Sequence, residues 1–219
     1  MTDPIAVQLI EAIHEHRVRP GMKLSEEEVA EVFGVGRTVA RQALRSLADY
    51  GLVRIERNRG AFVAKPSVRE AREVFEARAL LEPSTARAAA ERATAADIAR
   101  LEAHLADEHA ALDAGQAGRA LMLSGRFHIE IARIADQTTI EAFIRQLVSR
   151  SSLIIALYWR RQSAMCESHA HHALLDAMER NDAATAEELM KGHLLDLLSL
   201  LDLREPAEET VSLREAFAP

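Results

Sequence analysis

The chain has one cysteine, lacks any long apolar run and has no overall excess of positive charge. Its single cysteine, Cys166, cannot form a disulfide within the chain, as is usual in a reducing compartment. No apolar stretch approaches the roughly 20 residues that a helix needs to span a bilayer. The first residues contain acids and no basic stretch before an apolar core, unlike a secretory signal peptide. These absences predict a soluble cytoplasmic protein without a membrane partner.

The net charge of -7 hides an uneven distribution. Residues 1–33 hold three Lys/Arg and seven Asp/Glu, whereas residues 34–66 hold seven Lys/Arg and two Asp/Glu. The remaining residues, 67–219, hold 17 Lys/Arg and 25 Asp/Glu. A compact basic segment on an otherwise acidic chain is typical of a local phosphate-binding surface.

Residues 1–66 have the pattern of a small mixed domain. Apolar residues at helical spacing precede Pro20-Gly21, and the pair Ser25 and Glu28 signals the start of a second helix. A third helix is predicted from Thr38 to Tyr50 after a glycine-containing turn. The alternation in LVRIERNRGAFVA then predicts a two-stranded hairpin. This order of elements predicts a winged helix-turn-helix with a small β-hairpin wing.

From residue 67 onward, alanine, leucine, glutamate and arginine dominate, and helical periodicity continues to about residue 203. Short connections between the helices predict an antiparallel six-helix bundle over 67–203, with a flexible tail at 204–219. The predicted fold class is therefore mainly α. The six helices are predicted near 67–92, 95–114, 117–135, 138–159, 167–180 and 182–203.

Arg37, Arg41 and Arg45 stand four residues apart, away from the apolar stripe of the third helix. Arginine at such positions can contact phosphates or guanine edges in the major groove. The basic tip of the hairpin suits a contact with the DNA backbone or the minor groove. For the arginines alone, a solvated helix face is the alternative. The turn, the capped helix before it and the basic wing favour DNA binding.

Residues 20–63, PGMKLSEEEVAEVFGVGRTVARQALRSLADYGLVRIERNRGAFV, resemble the DNA-binding domain of GntR-type transcription regulators. Three departures stand out: Gly36 replaces Ser or Thr, Val39 replaces Pro, and Gln42 replaces Glu. Losing the hydroxyl at position 36 removes a phosphate contact and a helix N-cap. The resemblance implies a homodimer that reads a roughly palindromic operator in double-stranded DNA. The residues expected at the DNA are Arg37, Thr38, Arg41, Arg45, Arg57, Arg59 and Gly60.

The helical remainder resembles the FCD effector domain of the FadR-like branch of the same family. The resemblance rests on Arg78, Leu81 and Glu82, on Phe127-His128, on the block HAHHALLDAM, and on Met190, His193 and Leu194. Many members hold a divalent metal through one Asp and three His. The resemblance implies that His128, His171 and His193 are the three histidines.

Helical periodicity independently places the three histidines on buried faces. His171 precedes Leu174 and Leu175 by three and four residues, and His128 and His193 share faces with apolar residues in the same way. Three imidazoles from three helices are therefore expected in one apolar interior. For any one histidine, the alternative is a core side chain hydrogen-bonded to a neighbour. Neutral imidazole suits Zn, Ni, Fe or Mn, and the sequence does not choose among them.

The aspartate expected four residues before His128 is Ser124, a poor metal ligand. Either three histidines bind the metal with more open positions, which favours an anionic effector such as a carboxylate, or the histidines donate hydrogen bonds to an anion without metal. Arg78 could pair with the effector carboxylate, or with Glu82 one turn along its own helix. The predicted effector-binding residues are Arg78 and Ser124.

These features predict a ligand-responsive DNA-binding transcription regulator, not an enzyme. Repression with release by a small metabolite is usual in this family. We therefore expect a repressor that a small carboxylate releases from its operator. One alternative is a metal-dependent hydrolase using the three-histidine site, although no acid stands at an evident supporting position. The other alternative is a DNA-binding dimer whose bundle is only structural.

Overall fold

The computed structural model describes residues 4–14, 17–159 and 165–203, with the side chains of residues 14 and 165–168 excepted. Within these residues the chain is mainly helical and has one small antiparallel sheet, which confirms the predicted fold class. The antiparallel arrangement of the last six helices stays a prediction. The elements are α1 Pro4–His14, β1 Lys23–Leu24, α2 Glu26–Phe33, α3 Arg37–Asp49, β2 Val53–Glu56, β3 Gly60–Val63, α4 Val68–Arg92, α5 Ala95–Asp113, α6 Ala117–Ile134, α7 Thr138–Tyr158, α8 Met165–Glu179 and α9 Ala183–Leu200.

The α2-turn-α3 unit is built by local capping signals. The Ser25 hydroxyl accepts a hydrogen bond from the Glu28 backbone N–H at 3.1 Å and donates one to the Glu28 carboxylate at 2.8 Å. Gly34 ends α2 with a φ of 63°, a left-handed conformation that glycine adopts without steric cost. The chain can therefore turn sharply and begin α3 three residues later.

The wing is a three-stranded sheet in the order β1-β3-β2. β2 and β3 form the predicted hairpin, with Val53 opposite Val63 and Glu56 opposite Gly60. The sequence prediction did not include β1, which pairs with the other edge of β3. A two-residue strand is too short for an alternating pattern to appear in the sequence.

The N-terminal elements pack directly on the helical remainder. Leu47, Leu52 and Val63 are fully buried in the cluster that α1, α3 and the sheet enclose. Leu153 of α7 belongs to the same cluster, and α1 also contacts α6. A displacement of α7 would therefore change the packing of the core that supports α3.

The helices after residue 67 begin and end close to the predicted positions. Thr94 forms a capping box with Asp97 at the start of α5, and the Asp182 side chain caps α9. Asp136 and Asn181, at two predicted breaks, have left-handed φ values of 55° and 54°. The last helix ends before residue 203 because Leu201 leaves it to form a β-bridge with Trp159. The predicted tail, 204–219, lies outside the described residues.

Helix α4 contacts all of the helices α6, α7, α8 and α9. The large core side chains of this region include Phe75 of α4, Phe127 of α6 and Leu174 of α8, each at most 2% exposed. Side chains on the inner face of α4 can therefore reach several helices at once. Among the described residues, no helix is both long and apolar enough to cross a membrane.

Candidate functional site

Helix α3 presents a polar surface opposite its packed face. Its N-terminus follows Gly36, which has an extended backbone, and no side chain caps the helix there. The expected loss of the N-cap at position 36 is therefore present in the structure. The buried residues of α3 are Ala40, Ala43, Leu44 and Leu47, and the exposed ones include Arg37, Thr38, Arg41 and Arg45.

Two of the α3 arginines are paired with acids at the start of α2. Arg41 donates two hydrogen bonds to the Glu26 carboxylate, at 2.6 and 2.7 Å, and these bonds lower the pKa of Glu26. Arg37 donates to Glu27 at 2.5 Å. Such solvent-exposed ion pairs are weak, so the arginines can exchange the carboxylates for DNA. Sequence reasoning did not foresee these pairs.

The wing places its basic residues at an exposed tip. Arg57, Arg59 and Gly60 are all exposed, and Gly60 has a φ of 103°, which other residues rarely adopt. Arg59 donates to Glu56 at 2.5 Å and lies over the Phe62 ring, 5.4 Å from its centroid. The tip therefore has the shape and charge of a surface that contacts a phosphate backbone.

The structure brings together the three predicted histidines. His128 of α6, His171 of α8 and His193 of α9 are 3%, 0% and 7% exposed. One nitrogen from each ring lies within 4.8 Å of the others, and the ring centroids are 4.9 to 5.3 Å apart. Three imidazole donors from three helices therefore surround one point in the interior.

Two buried glutamates are hydrogen-bonded to the Nδ1 atoms of two of these imidazoles. The Nδ1–H group of His128 donates to Glu82 of α4 at 2.7 Å, and that of His171 donates to Glu108 of α5 at 3.3 Å. The prediction that no acid stands at a supporting position is therefore wrong. Each acid accepts a hydrogen bond from a ring, and Glu82 also pairs with Arg78.

The carboxylates fix which nitrogen of His128 and of His171 carries the proton. With Nδ1–H donating to a glutamate, a neutral imidazole presents the lone pair of Nε2 on its other side. Burial lowers the pKa of His128 to about 4, with Glu82 opposing the shift, and burial also lowers the pKa of His193 well below its usual value. The His128 and His193 rings are therefore neutral near pH 7, as metal ligands must be.

The remaining nitrogen of His171 tests whether these residues fit a metal. His171 Nε2 is buried and has no hydrogen-bond partner among the described residues, although buried polar atoms almost always have one. His128 Nε2 lies 3.3 Å from His193 Nε2. The donor set of three buried imidazoles, one with an Nε2 atom that has no hydrogen-bond partner among the described residues, fits a divalent ion of the Zn, Ni, Fe or Mn class.

Arg78 forms the internal pair that was one of its two predicted outcomes. Its guanidinium is buried and donates to Glu82 at 2.5 and 3.2 Å and to the Ser151 hydroxyl of α7 at 2.9 Å. Burial alone would raise the pKa of Glu82, but the Arg78 and His128 side chains lower it to about 2. Ser124 is buried one helical turn before His128. Effector contacts by Arg78 and Ser124 stay predictions.

The neighbouring histidines differ from His171 in burial. His169 and His172 are exposed, and the His172 ring stacks on His109 with 4.9 Å between centroids. This agrees with the expected assignment of His171 alone to the interior. The side chain of Cys166 lies outside the described residues.

Comparisons with known proteins match both parts of the chain. Residues 2–63 match the family of bacterial regulatory proteins called the gntR family, and residues 73–196 match the FCD domain. The HTH-type transcriptional repressor RspR of Escherichia coli is 28% identical over 204 residues, covering 90% of this chain and 88% of that protein. The galactonate operon transcriptional repressor of Escherichia coli is 28% identical over 209 residues, covering 85% of this chain and 90% of that protein.

The solved structure of E. coli McbR/YncC has a similar fold, with a TM-score of 0.76 at 19% sequence identity, covering 89% of this chain and 93% of that chain. The family members that match are regulators rather than enzymes, so the hydrolase alternative is set aside. Regulators of this kind bind operator DNA and small-molecule effectors. The chain belongs to the gntR family of bacterial regulatory proteins, with an FCD domain following its winged helix-turn-helix.

Proposed function

We propose that the protein is a cytoplasmic homodimeric repressor that leaves its operator when a small carboxylate binds near the three histidines. Residues 1–66 are the DNA reader and residues 67–203 the effector-binding and dimerisation domain. Both relatives described above are named as repressors, which supports this direction of regulation. The proposed DNA contacts are Arg37, Thr38, Arg41, Arg45, Arg57, Arg59 and Gly60.

The observation that carries the effector site is the buried Nε2 atom of His171, which has no hydrogen-bond partner in the described part of the chain. We assign His128, His171 and His193 as the residues that would hold a divalent metal. Such an ion would supply a Lewis-acidic positive centre in the interior. Glu82 and Glu108 orient two of the three rings, because each accepts the Nδ1 proton of its histidine.

The charge of the site favours an anion when a metal is present. The formally charged side chains buried in the described residues are Arg78, Glu82 and Glu108, which together carry one net formal negative charge beside the three imidazoles. A divalent ion reverses this to one net positive charge, and Ser124 contributes no charge where the family has an aspartate. A carboxylate can neutralise that excess. Galactonate, in the name of one relative, is itself a carboxylate.

The signal from the site has a direct physical route to the DNA reader. Glu82 contacts both His128 and Arg78, and Arg78 reaches Ser151 of α7. The residue before Ser151, Arg150, is ion-paired with Glu70 and packs closely on Gly51, which follows α3. A Cβ added at Gly51 would lie 3.0 Å from Arg150 Cγ. An effector that displaces His128 therefore acts, through this chain of contacts, on the helix that faces DNA.

Metal content tests the site first. The purified chain, free of tag and chelator, is analysed for metal beside His171→Ala and His172→Ala. The two variants remove adjacent histidines of the same helix, one buried and one exposed. We expect close to one metal per chain in the wild type and in His172→Ala, and its loss in His171→Ala. No metal in any of the three would favour the metal-free pocket, in which the imidazoles take up protons on Nε2 and donate to the anion directly.

DNA binding is tested with Arg41→Ala and, as a control, Arg119→Ala, which removes an exposed arginine of α6. Arg41→Ala is expected to weaken operator binding roughly 5- to 150-fold, the range for loss of a base-reading arginine. Arg119→Ala should bind as the wild type does. Equal binding by both variants at moderate salt would remove Arg41 from the reader surface.

The effector response is tested by titrating small carboxylates into the protein-operator complex. Release of DNA by one of them, together with its loss in His171→Ala, is the expected result. A complete lack of response or of any melting shift across a carboxylate library would support the remaining alternative, a bundle that serves only dimerisation. Dimerisation itself is checked by sedimentation equilibrium of the whole chain.

A further inference from the structure

The exposed face of α3 carries an amide side chain beside its arginines. At about 100° per residue, Thr38, Gln42 and Arg45 fall within about 60° of one another on a helical projection. That sector lies opposite Ala40 and Leu47, which are fully buried. Gln42 is exposed, and it lies at the edge of the sector that is farther from Arg37 and Arg41.

Gln42 has no partner within the part of the chain that the structure describes. Arg37 and Arg41, in contrast, are paired with Glu27 and Glu26. To contact DNA, those arginines must break an existing ion pair. The Gln42 amide only replaces hydrogen bonds to solvent with hydrogen bonds to a base. The side chain is therefore free to be used for recognition without rearrangement of the reader.

The chemistry of a primary amide selects one base in the major groove. Glutamine has a carbonyl acceptor and an N–H donor on one planar group, which match the N6 donor and N7 acceptor of adenine. Guanine presents two acceptors there, and cytosine presents a donor. A glutamine on the recognition face therefore discriminates in favour of adenine.

An apolar neighbour extends the same neutral side of the helix. Val39 lies one turn before Gln42 and is 44% exposed, although it is a branched apolar side chain. The C5-methyl group of thymine is the apolar feature of the major groove. Val39 and Gln42 together present the two kinds of contact that an A·T pair offers, on the side of α3 away from Arg37 and Arg41.

We propose that Gln42 reads an adenine in each operator half-site and that Val39 packs against a thymine methyl beside it. This assignment goes beyond the general ability of the chain to bind DNA, because it names the residues that select sequence. The arginines supply phosphate and guanine contacts, and the neutral side of α3 supplies the A·T preference.

Selection from randomised duplex DNA tests the role of Gln42. The full-length wild type, Gln42→Glu and Gln8→Glu are each used to enrich binding sequences. Gln8 is an exposed glutamine of α1, so its variant makes the same charge change within the reader but away from α3. For the wild type and Gln8→Glu we expect the same half-site with an adenine. Gln42→Glu should replace that adenine by cytosine, whose N4 donor suits a carboxylate, and keep the other positions.

An unchanged motif in Gln42→Glu would overturn the assignment, as would a wild-type motif without adenine. A uniform loss of enrichment at every position would also contradict it, because a base reader changes one position. If the wild type enriched no motif at all, sequence-specific binding itself would fail, and the proposal with it.

Modified bases then test single atoms on the selected operator. Replacing the adenine by 7-deazaadenine removes N7 and should weaken the wild type roughly 5-fold or more, but leave Gln42→Ala unaffected. Replacing the thymine by uracil removes only the methyl group and should weaken the wild type but not Val39→Ala. Equal losses in the wild type and the matching variant would show that these atoms are not read by Gln42 and Val39.

Discussion

Neutralising Glu82 should destabilise the protein more than any surface change, because it leaves the buried cation of Arg78 without its counter-charge. Glu82 and Arg78 are each 2% exposed, and the Arg78 Nε atom lies 2.5 Å from the carboxylate. Glu82→Gln keeps the volume of the side chain and an acceptor for His128. It removes the negative charge and, with the amide oxygen kept for His128, the acceptor of the 2.5 Å hydrogen bond from Arg78 Nε. Breaking a buried pair in this way costs about 3–5 kcal/mol.

The assay is thermal unfolding followed by circular dichroism, in a chelator that removes any contribution from bound metal. For a chain of this size, each kcal/mol lowers Tm by about 2–4 °C, so a decrease of about 6–20 °C is expected. The double variant Arg78→Met/Glu82→Gln removes both charges and should recover most of that loss, since an apolar replacement of a buried pair is often neutral. A Glu82→Gln protein that melts within about 2 °C of the wild type would refute the reasoning. So would a double variant that is less stable than the single one.

Three further changes have expected results that the structure makes specific. Gly125→Ala places a Cβ 2.9 Å from Val148 Cγ1 and 3.2 Å from Ser152 Oγ, so α6 and α7 must adjust, and we expect urea unfolding to show a loss of about 1–3 kcal/mol. Gly36→Ser restores a hydroxyl at the start of α3 and should tighten binding to specific and unrelated duplexes alike, by roughly 2- to 10-fold in fluorescence anisotropy, because phosphate contacts carry no sequence information. Ser124→Asp adds the missing carboxylate, so metal transfer to a chelator should slow on the order of tenfold, and the affinity for an anionic effector should fall.

The helices could be predicted from the sequence because residues close to each end determine where the helix begins and stops. Ser25, Thr94 and Asp182 each cap a helix, and the breaks near Asp136 and Asn181 use residues that tolerate a left-handed backbone. β1 could not be predicted, because its pairing with β3 is set by tertiary structure and not by its own two residues.

The histidine site shows the same division between local and long-range information. The buried faces of α6, α8 and α9 could be read from their apolar periodicity, which was enough to bring His128, His171 and His193 together. Glu108 was missed as their partner. A signal for it does exist, since it stands in the buried stripe of α5 with Leu101 and Leu105, but its contact with His171 depends on how α5 and α8 pack.

The hydrogen bonds of Arg78 set the free-energy change that is available to the proposed regulation. A hydrogen bond that involves a charged group contributes about 1.5–3 kcal/mol, and allosteric coupling between two sites is typically about 1–3 kcal/mol. The single bond from Arg78 to Ser151 is therefore large enough to carry the whole response. Because Glu82 contacts both His128 and Arg78, an effector that pulls His128 out of line must either break its bond to Glu82 or move Arg78 away from α7. In the proposed mechanism, the hydrogen-bonded chain from His128 through Glu82 and Arg78 to Ser151 would convert a small displacement at the histidines into the loss of one contact on α7. The residue before Ser151, Arg150, packs against Gly51 at the end of α3.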